Sequence, residues 1–121
     1  MSYVDGFVAA VPSANRDAYR DMAARAATVF LKNGATQVVE TWSDDVPHGK
    51  QTDFYRAVEA TPEESIVFSW ITWPSKSARD AGWKTVMADP AMQPDAMRGV
   101  FDGKRMIYGG FSMLLDERAA S

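Results

Sequence analysis

Apolar residues recur along the chain with two different periods, and the changes of period mark out its elements. Tyr3–Val11 (YVDGFVAAV) is apolar in both alternating sets, with Tyr3, Phe7, Ala9 and Val11 on one side and Val4, Val8 and Ala10 on the other. That pattern predicts a strand covered on both faces. Pro12 ends it, and Ser13 or Asn15 stands where a helix cap is expected. Tyr19, Met22, Ala23, Ala26, Val29 and Phe30 then recur at helical spacing, while Arg16, Asp17, Arg20, Asp21 and Arg25 take the opposite face. Gly34, directly after Asn33, is the expected helix stop.

Gln37–Trp42 predicts a second strand, with Val38, Glu40 and Trp42 opposite Val39 and Thr41, and Asp44-Asp45-Val46-Pro47 breaks it. Thr52–Glu59 predicts a short helix capped by Thr52 that buries Phe54 and Val58. Ile66–Trp73 is a third strand, with Ile66, Phe68 and Trp70 set against Val67, Ile71 and Trp73. Pro74-Ser75 repeats the strand–Pro–Ser–helix join of Val11-Pro12-Ser13 and leads into a second long helix ending near Ala88, before Asp89-Pro90. Ala91–Arg105 has no period and reads as a loop with one turn of helix; Met106–Leu115 is the fourth strand. The order β-α-β-β-α-β is that of an α+β, ferredoxin-like sandwich with a four-stranded antiparallel sheet. One layer of helices covers one face of such a sheet, so strands that are apolar on both sides leave a face for a partner, and a second copy of the chain is the simplest one.

Length and charge narrow the function. At 121 residues the chain is expected to form a single domain, 1–121. Thirteen Lys and Arg are dispersed among sixteen Asp and Glu, for a net charge of −3, which leaves no basic stripe for phosphates and argues against nucleic acid. Without cysteine there is no disulfide, thiolate nucleophile or Cys-based metal site. No signal-peptide pattern and no membrane-length apolar run is present, so a cytoplasmic protein without membrane attachment is expected.

Four phrases, YVDGF (Tyr3–Phe7), ETWSDDVPHGKQTDF (Glu40–Phe54), VFSWITWPSKSARD (Val67–Asp80) and FDGKRMIYGGF (Phe101–Phe111), together resemble a small bacterial family of unknown function, the YbaA-like proteins. That family sits in the dimeric α/β-barrel superfamily, and the resemblance spans nearly the whole chain. It implies a ferredoxin-like protomer whose sheet packs on that of a second protomer. It brings no activity with it.

The candidate chemistry lies in the long segment between the second and third strands and in the phrase before the fourth. His48, the sole histidine, is the one side chain whose ordinary pKa lies near neutrality, and it is the first candidate for a general acid or base; the plainer alternative is an exposed loop histidine. One histidine among loop carboxylates lacks the spacing of a metal site, so no metal is expected. In Phe101–Arg105 (FDGKR), Lys104 or Arg105 could hold a substrate anion at a pocket mouth, or Asp102-Gly103 could simply turn the chain into its last strand. Trp42, Phe101 and Tyr108 are candidate walls of a ligand pocket, against the alternative of core and interface packing. Gly109-Gly110, in a strand, points to a bulge or to close approach by a backbone, a ring or a ligand. Met87, Met92, Met97 and Met106 read as adaptable filler. If the two segments converge, His48 and Arg105 would be the catalytic pair of a cofactor-independent enzyme acting on a small polar-aromatic metabolite. The alternative is a non-catalytic module that binds or senses a small ligand, and an RNA-associated role is a third reading that the charge pattern disfavours.

Overall fold

A computed structural model describes residues 2–93 and 99–120. Strand β1 (Tyr3–Pro12) leads through a 3-10 turn at Ser13–Asn15 into α1 (Arg16–Lys32). Then follow β2 (Gln37–Trp42), the single-turn helix α2 (Phe54–Ala57), β3 (Glu64–Trp73), α3 (Lys76–Ala88), two further 3-10 turns at Pro90–Met92 and Gly103–Arg105, and β4 (Ile107–Ser112). The sheet order is β2-β3-β1-β4 with all neighbours antiparallel, which is the split βαβ arrangement of the ferredoxin-like fold. Met97 falls outside the described residues.

Alternation along the strands sorts the side chains. In the central pair, Tyr3, Asp5, Ala9 and Val11 of β1 and Val67, Ser69, Ile71 and Trp73 of β3 are buried under the helices. The helical stripe supplies the other half of this core, with Tyr19, Met22, Ala23, Val29 and Phe30 all buried. Trp73, fully buried, packs edge-on to Phe30, whose ring also meets Trp83 of α3 at 4.9 Å. Gly82 lets α3 come this close: a Cβ there would lie 2.5 Å from the Trp73 ring and 2.6 Å from the Asn33 carbonyl. Gly34, at φ +109°, reverses the chain after α1 as expected of a helix stop.

The opposite sheet face is covered by neither long helix; α2 and Val58 bury only Ala10 and Ile66 at one end of it. It presents Val4, Gly6, Val8 and Ala10 of β1, Ile66, Phe68 and Trp70 of β3, and Ile107, Gly109 and Phe111 of β4, with Phe68 48% and Phe111 59% exposed. Phe54 packs across onto Phe68, which in turn touches Trp70.

Several local expectations are corrected. Asn15 does not cap α1: its side-chain amide donates to the Val100 carbonyl at 2.9 Å and so ties the segment before β4 to the start of the helix, while the Ser13 hydroxyl pairs with that of Ser65. The α2 cap is Asp53, which accepts from the Arg56 N–H at 2.8 Å, and Thr52 is outside the helix. Val58 is buried as expected but Phe54 is exposed, because it faces the uncovered side of the sheet. The fourth strand ends at Ser112, so Leu114 and Leu115 lie beyond it, 98% and 77% exposed. Ser75 does cap its helix, accepting from the Ala78 N–H.

Candidate functional site

His48 and Arg105 lie toward one end of the sheet but do not share a pocket. The His48 ring stacks on Tyr55 at 4.2 Å and lies 3.8 Å from the Asp53 carboxylate, with its side chain 77% exposed. Tyr55 is pinned by donating its hydroxyl to the Val46 carbonyl, and Arg56 donates to that of Gly49, so the long loop is braced from within. Arg105 is fully engaged elsewhere. It makes a two-pronged pair with Glu64 at 2.8 and 2.6 Å, binds Asp102 at 3.1 Å, and donates to the Glu59 carbonyl at 2.8 Å. With four of its five N–H groups bonded to two carboxylates and a carbonyl, Arg105 acts as a staple between the turn before β4 and the start of β3, which leaves little of it for the expected role of anion anchor. Arg105 is the main reason the Glu64 carboxyl is pulled down to about 2. Neither His48 nor Arg105 borders the interior cavity described next, and Lys104 does not line it either.

That cavity is a half-open cleft between the sheet and the helices, with a volume of about 470 Å³, and Met87 and Tyr108 at its margin are exposed. Phe7, Ile71, Trp83, Phe101, Met106 and Tyr108 make most of its wall, and Met87 and Met92 flank it. Phe101 and Tyr108, two of the expected ligand-pocket residues, border this cavity. Trp42 sits on the far side of Tyr19, in an adjoining groove between α1 and β2, where Arg16 lies over its indole ring at 6.0 Å.

Three polar side chains interrupt the apolar lining: Tyr19, Glu40 and Ser69. The Tyr19 hydroxyl donates to Glu40 Oε1 at 2.7 Å, and Ser69, directly opposite Glu40 across the β2–β3 pair, also hydrogen-bonds its carboxyl. Glu40 is on an edge strand and remains exposed as a residue, yet protein atoms crowd its carboxylate. Lost hydration outweighs the two hydrogen bonds, and the carboxyl pKa is raised. Tyr19 is shifted upward too, first by burial and then by the adjacent Glu40 charge, so its phenol keeps its proton. Glu40 borders both the interior cavity and the outer groove. A carboxyl whose pKa is raised by burial, held by a phenol donor at the wall of a largely apolar cavity, is a candidate for exchanging a proton with a ligand there.

Sequence reasoning placed Glu40 on the correct face of β2 but gave it no role, since nothing in a linear pattern pairs it with Tyr19 on α1. The buried carboxylate of Asp5 was hidden in the same way. It accepts from the indole N–H of Trp73 at 2.9 Å and of Trp83 at 2.8 Å, and Arg79 binds it at 2.8 to 3.2 Å. Four donors satisfy this group completely, which makes it a structural clamp joining β1, β3 and α3. Gly110 serves the same clamp: a Cβ would lie 2.4 Å from the Tyr3 hydroxyl and 3.0 Å from Arg79. The close approach read from Gly109-Gly110 is thus made by a ring and a guanidinium at Gly110, while a Cβ at Gly109 meets only ordinary contact with Phe111.

Among the described residues, no three His, Cys, Asp or Glu side chains converge as a metal ion would require, and no helix is long and apolar enough to cross a membrane.

Residues 2–103 match a family described as protein of unknown function, DUF1428. The chain belongs to the DUF1428 family. Within it, the chain is 56% identical over 117 residues to the uncharacterized protein YbaA of Escherichia coli K12 and, at the same identity, to that of Shigella flexneri, covering 97% of this chain and all of each relative. Two solved structures share the fold of this DUF1428 chain at much lower identity. One is Rv0793 from Mycobacterium tuberculosis, with 13% identity and a TM-score of 0.52. The other is a dimeric ferredoxin-like protein from an uncultured marine organism, with 10% identity and a TM-score of 0.58. Each alignment covers 98% of this chain and all of the neighbour.

Proposed function

We propose that the chain is a small cofactor-independent enzyme that moves a proton on a small polar-aromatic metabolite held in the interior cavity, and that it works as a homodimer. The observation that carries the catalytic reading is Glu40: a carboxyl of raised pKa, oriented by the Tyr19 hydroxyl, at the wall of an otherwise aromatic and methionine-lined cavity. Ionised Glu40 accepts the proton from the ligand, and the hydroxyl of Tyr19 continues to donate to Oε1, so the base keeps its orientation through the step. Protonated Glu40 then returns the proton to a neighbouring atom of the same ligand or passes it toward the outer groove, which it also borders. Phe7, stacked with Tyr108 at 6.4 Å, and Phe101, edge-on to Tyr19 at 5.6 Å, offer faces for a flat ring.

Support for the dimer comes from the uncovered sheet face, where Phe68, Ile107 and Phe111 remain exposed. A contiguous apolar surface of this kind calls for a partner. The marine neighbour with this fold is described as dimeric.

The test is incubation of wild-type protein and Glu40→Gln with a bacterial metabolite extract, followed by mass spectrometry of both the extract and the native protein. Depletion of one compound by wild type and not by the variant is the expected result. Equal depletion by both removes Glu40 from the chemistry. A compound retained in the native complex without turnover makes the protein a binding module instead.

A further inference from the structure

The lining of the interior cavity has a charge pattern that selects among ligands. Its acidic member is Glu40, its other polar groups are the Tyr19 and Ser69 hydroxyls, and among the described residues no lysine, arginine or histidine faces it. Three cations on neighbouring elements are engaged elsewhere. Arg105 is held by Glu64 and Asp102, Arg79 by Asp5 and Asp80, and Arg16 lies in the outer groove over Trp42. An anionic ligand would therefore lose hydration against methionine and aromatic side chains, find no countercharge among the described residues, and meet the Glu40 carboxylate. A neutral ligand bearing one hydroxyl or other donor meets the opposite situation. Its donor pairs with Glu40, its ring lies against Phe7, Phe101 or Tyr108, and no charge has to be stripped of water.

From this we infer that the cavity takes an uncharged one- or two-ring compound that presents a weakly acidic hydroxyl or enolisable group to Glu40, and that it rejects carboxylates and phosphate esters of the same shape. The inference rests on the proposed function of the cavity and specifies its ligand. A volume of about 470 Å³ is within the range of small-molecule sites and accommodates two fused rings. In the proton transfer, the ligand O–H or C–H bond breaks, its electron pair stays on the ligand, and the proton forms a bond to a Glu40 oxygen; the reverse step restores both. No oxidant or reductant enters.

Matched probes of one shape and two charges test this. Binding of 2-naphthol and of 2-naphthoate is measured by calorimetry at neutral pH on wild type and on Glu40→Gln, with circular dichroism confirming that the variant is folded. The expected result is binding of 2-naphthol about tenfold or more tighter than 2-naphthoate in wild type. In Glu40→Gln that gap should narrow, because the repelling charge is gone, yet persist, because the carboxylate still has to shed water. Equal or tighter binding of 2-naphthoate overturns the ligand class and leaves proton transfer by Glu40 to be judged by the turnover comparison. An unchanged gap in the variant also overturns the inference, since the ligand donor would not then face Glu40. If neither probe binds at millimolar concentration, the cavity does not take this class of compound. If turnover of an extract metabolite proves independent of Glu40 while the probes behave as expected, binding selectivity survives and the catalytic reading alone falls.

Discussion

The Tyr19 hydroxyl reaches across from the first long helix to donate to Glu40 Oε1 at 2.7 Å, joining a buried residue to one on an edge strand. Replacing Tyr19 with phenylalanine removes a bond that favours the ionised carboxylate, while burial still opposes it. The Glu40 pKa is therefore expected to rise further in Tyr19→Phe. A pH–rate or pH–binding profile whose acidic limb moves to higher pH in the variant is the check, and an unmoved profile places Glu40 outside the chemistry.

Glu40 also makes stability depend on pH. Its pKa is raised on folding, so the folded state holds the proton more tightly. The associated stability is fully present below the unfolded value of about 4.3 and is lost as pH rises through the higher folded value. In Glu40→Gln this loss disappears. The melting temperature of the variant relative to wild type should accordingly increase as pH rises from about 4.3 through the higher folded value. A difference that is flat across that range counts against the raised pKa.

The staple at Arg105 behaves in the opposite sense. Glu64 is pulled down to about 2, so its contribution is present above the unfolded carboxyl value of about 4.3 and is lost as pH falls through about 2. Arg105→Ala should melt several degrees below wild type at neutral pH, with the gap closing in acid, and should leave 2-naphthol binding unchanged. Loss of that binding in a folded Arg105→Ala protein would restore Arg105 to the ligand site.

The clamp around Asp5 should show the largest stability effect. Asp5→Ala leaves two indole N–H groups and a guanidinium without their shared acceptor, at a cost of roughly 3 kcal/mol or more. Gly110→Ala strikes the same cluster by crowding Tyr3 and Arg79, at about 1–3 kcal/mol, whereas Gly109→Ala should change stability by less than about 1 kcal/mol. Chemical denaturation followed by tryptophan fluorescence ranks the three, and equal effects of the two glycine substitutions would contradict the geometry.

Local patterns carried most of the fold. Strand alternation in Tyr3–Val11 and Ile66–Trp73, the helical recurrence from Tyr19 to Phe30 and the Gly34 stop all describe short-range preferences that the folded chain keeps. Phe101 and Tyr108, expected as pocket walls, both border the cavity, though Tyr108 lies within β4 and is largely exposed. The polar centre was not legible. His48 drew attention as the sole histidine, yet it is stacked on Tyr55 in an exposed loop, and Arg105 serves a carboxylate 41 residues away in sequence. Glu40 was read only as a member of an alternating strand, on the side of Val38 and Trp42. Its setting depends on Tyr19 from another element and on Ser69 across the sheet, and pairings between elements leave no trace in either period.

Carbon-detected NMR titration of the Glu40 side-chain carboxyl, in protein selectively labelled at glutamate and assigned with Glu40→Gln, reads the central group directly. A midpoint above the ordinary glutamate value that shifts on addition of 2-naphthol is the expected result. A midpoint at or below about 4.3, unmoved by 2-naphthol, would contradict a desolvated Glu40 at a ligand cavity.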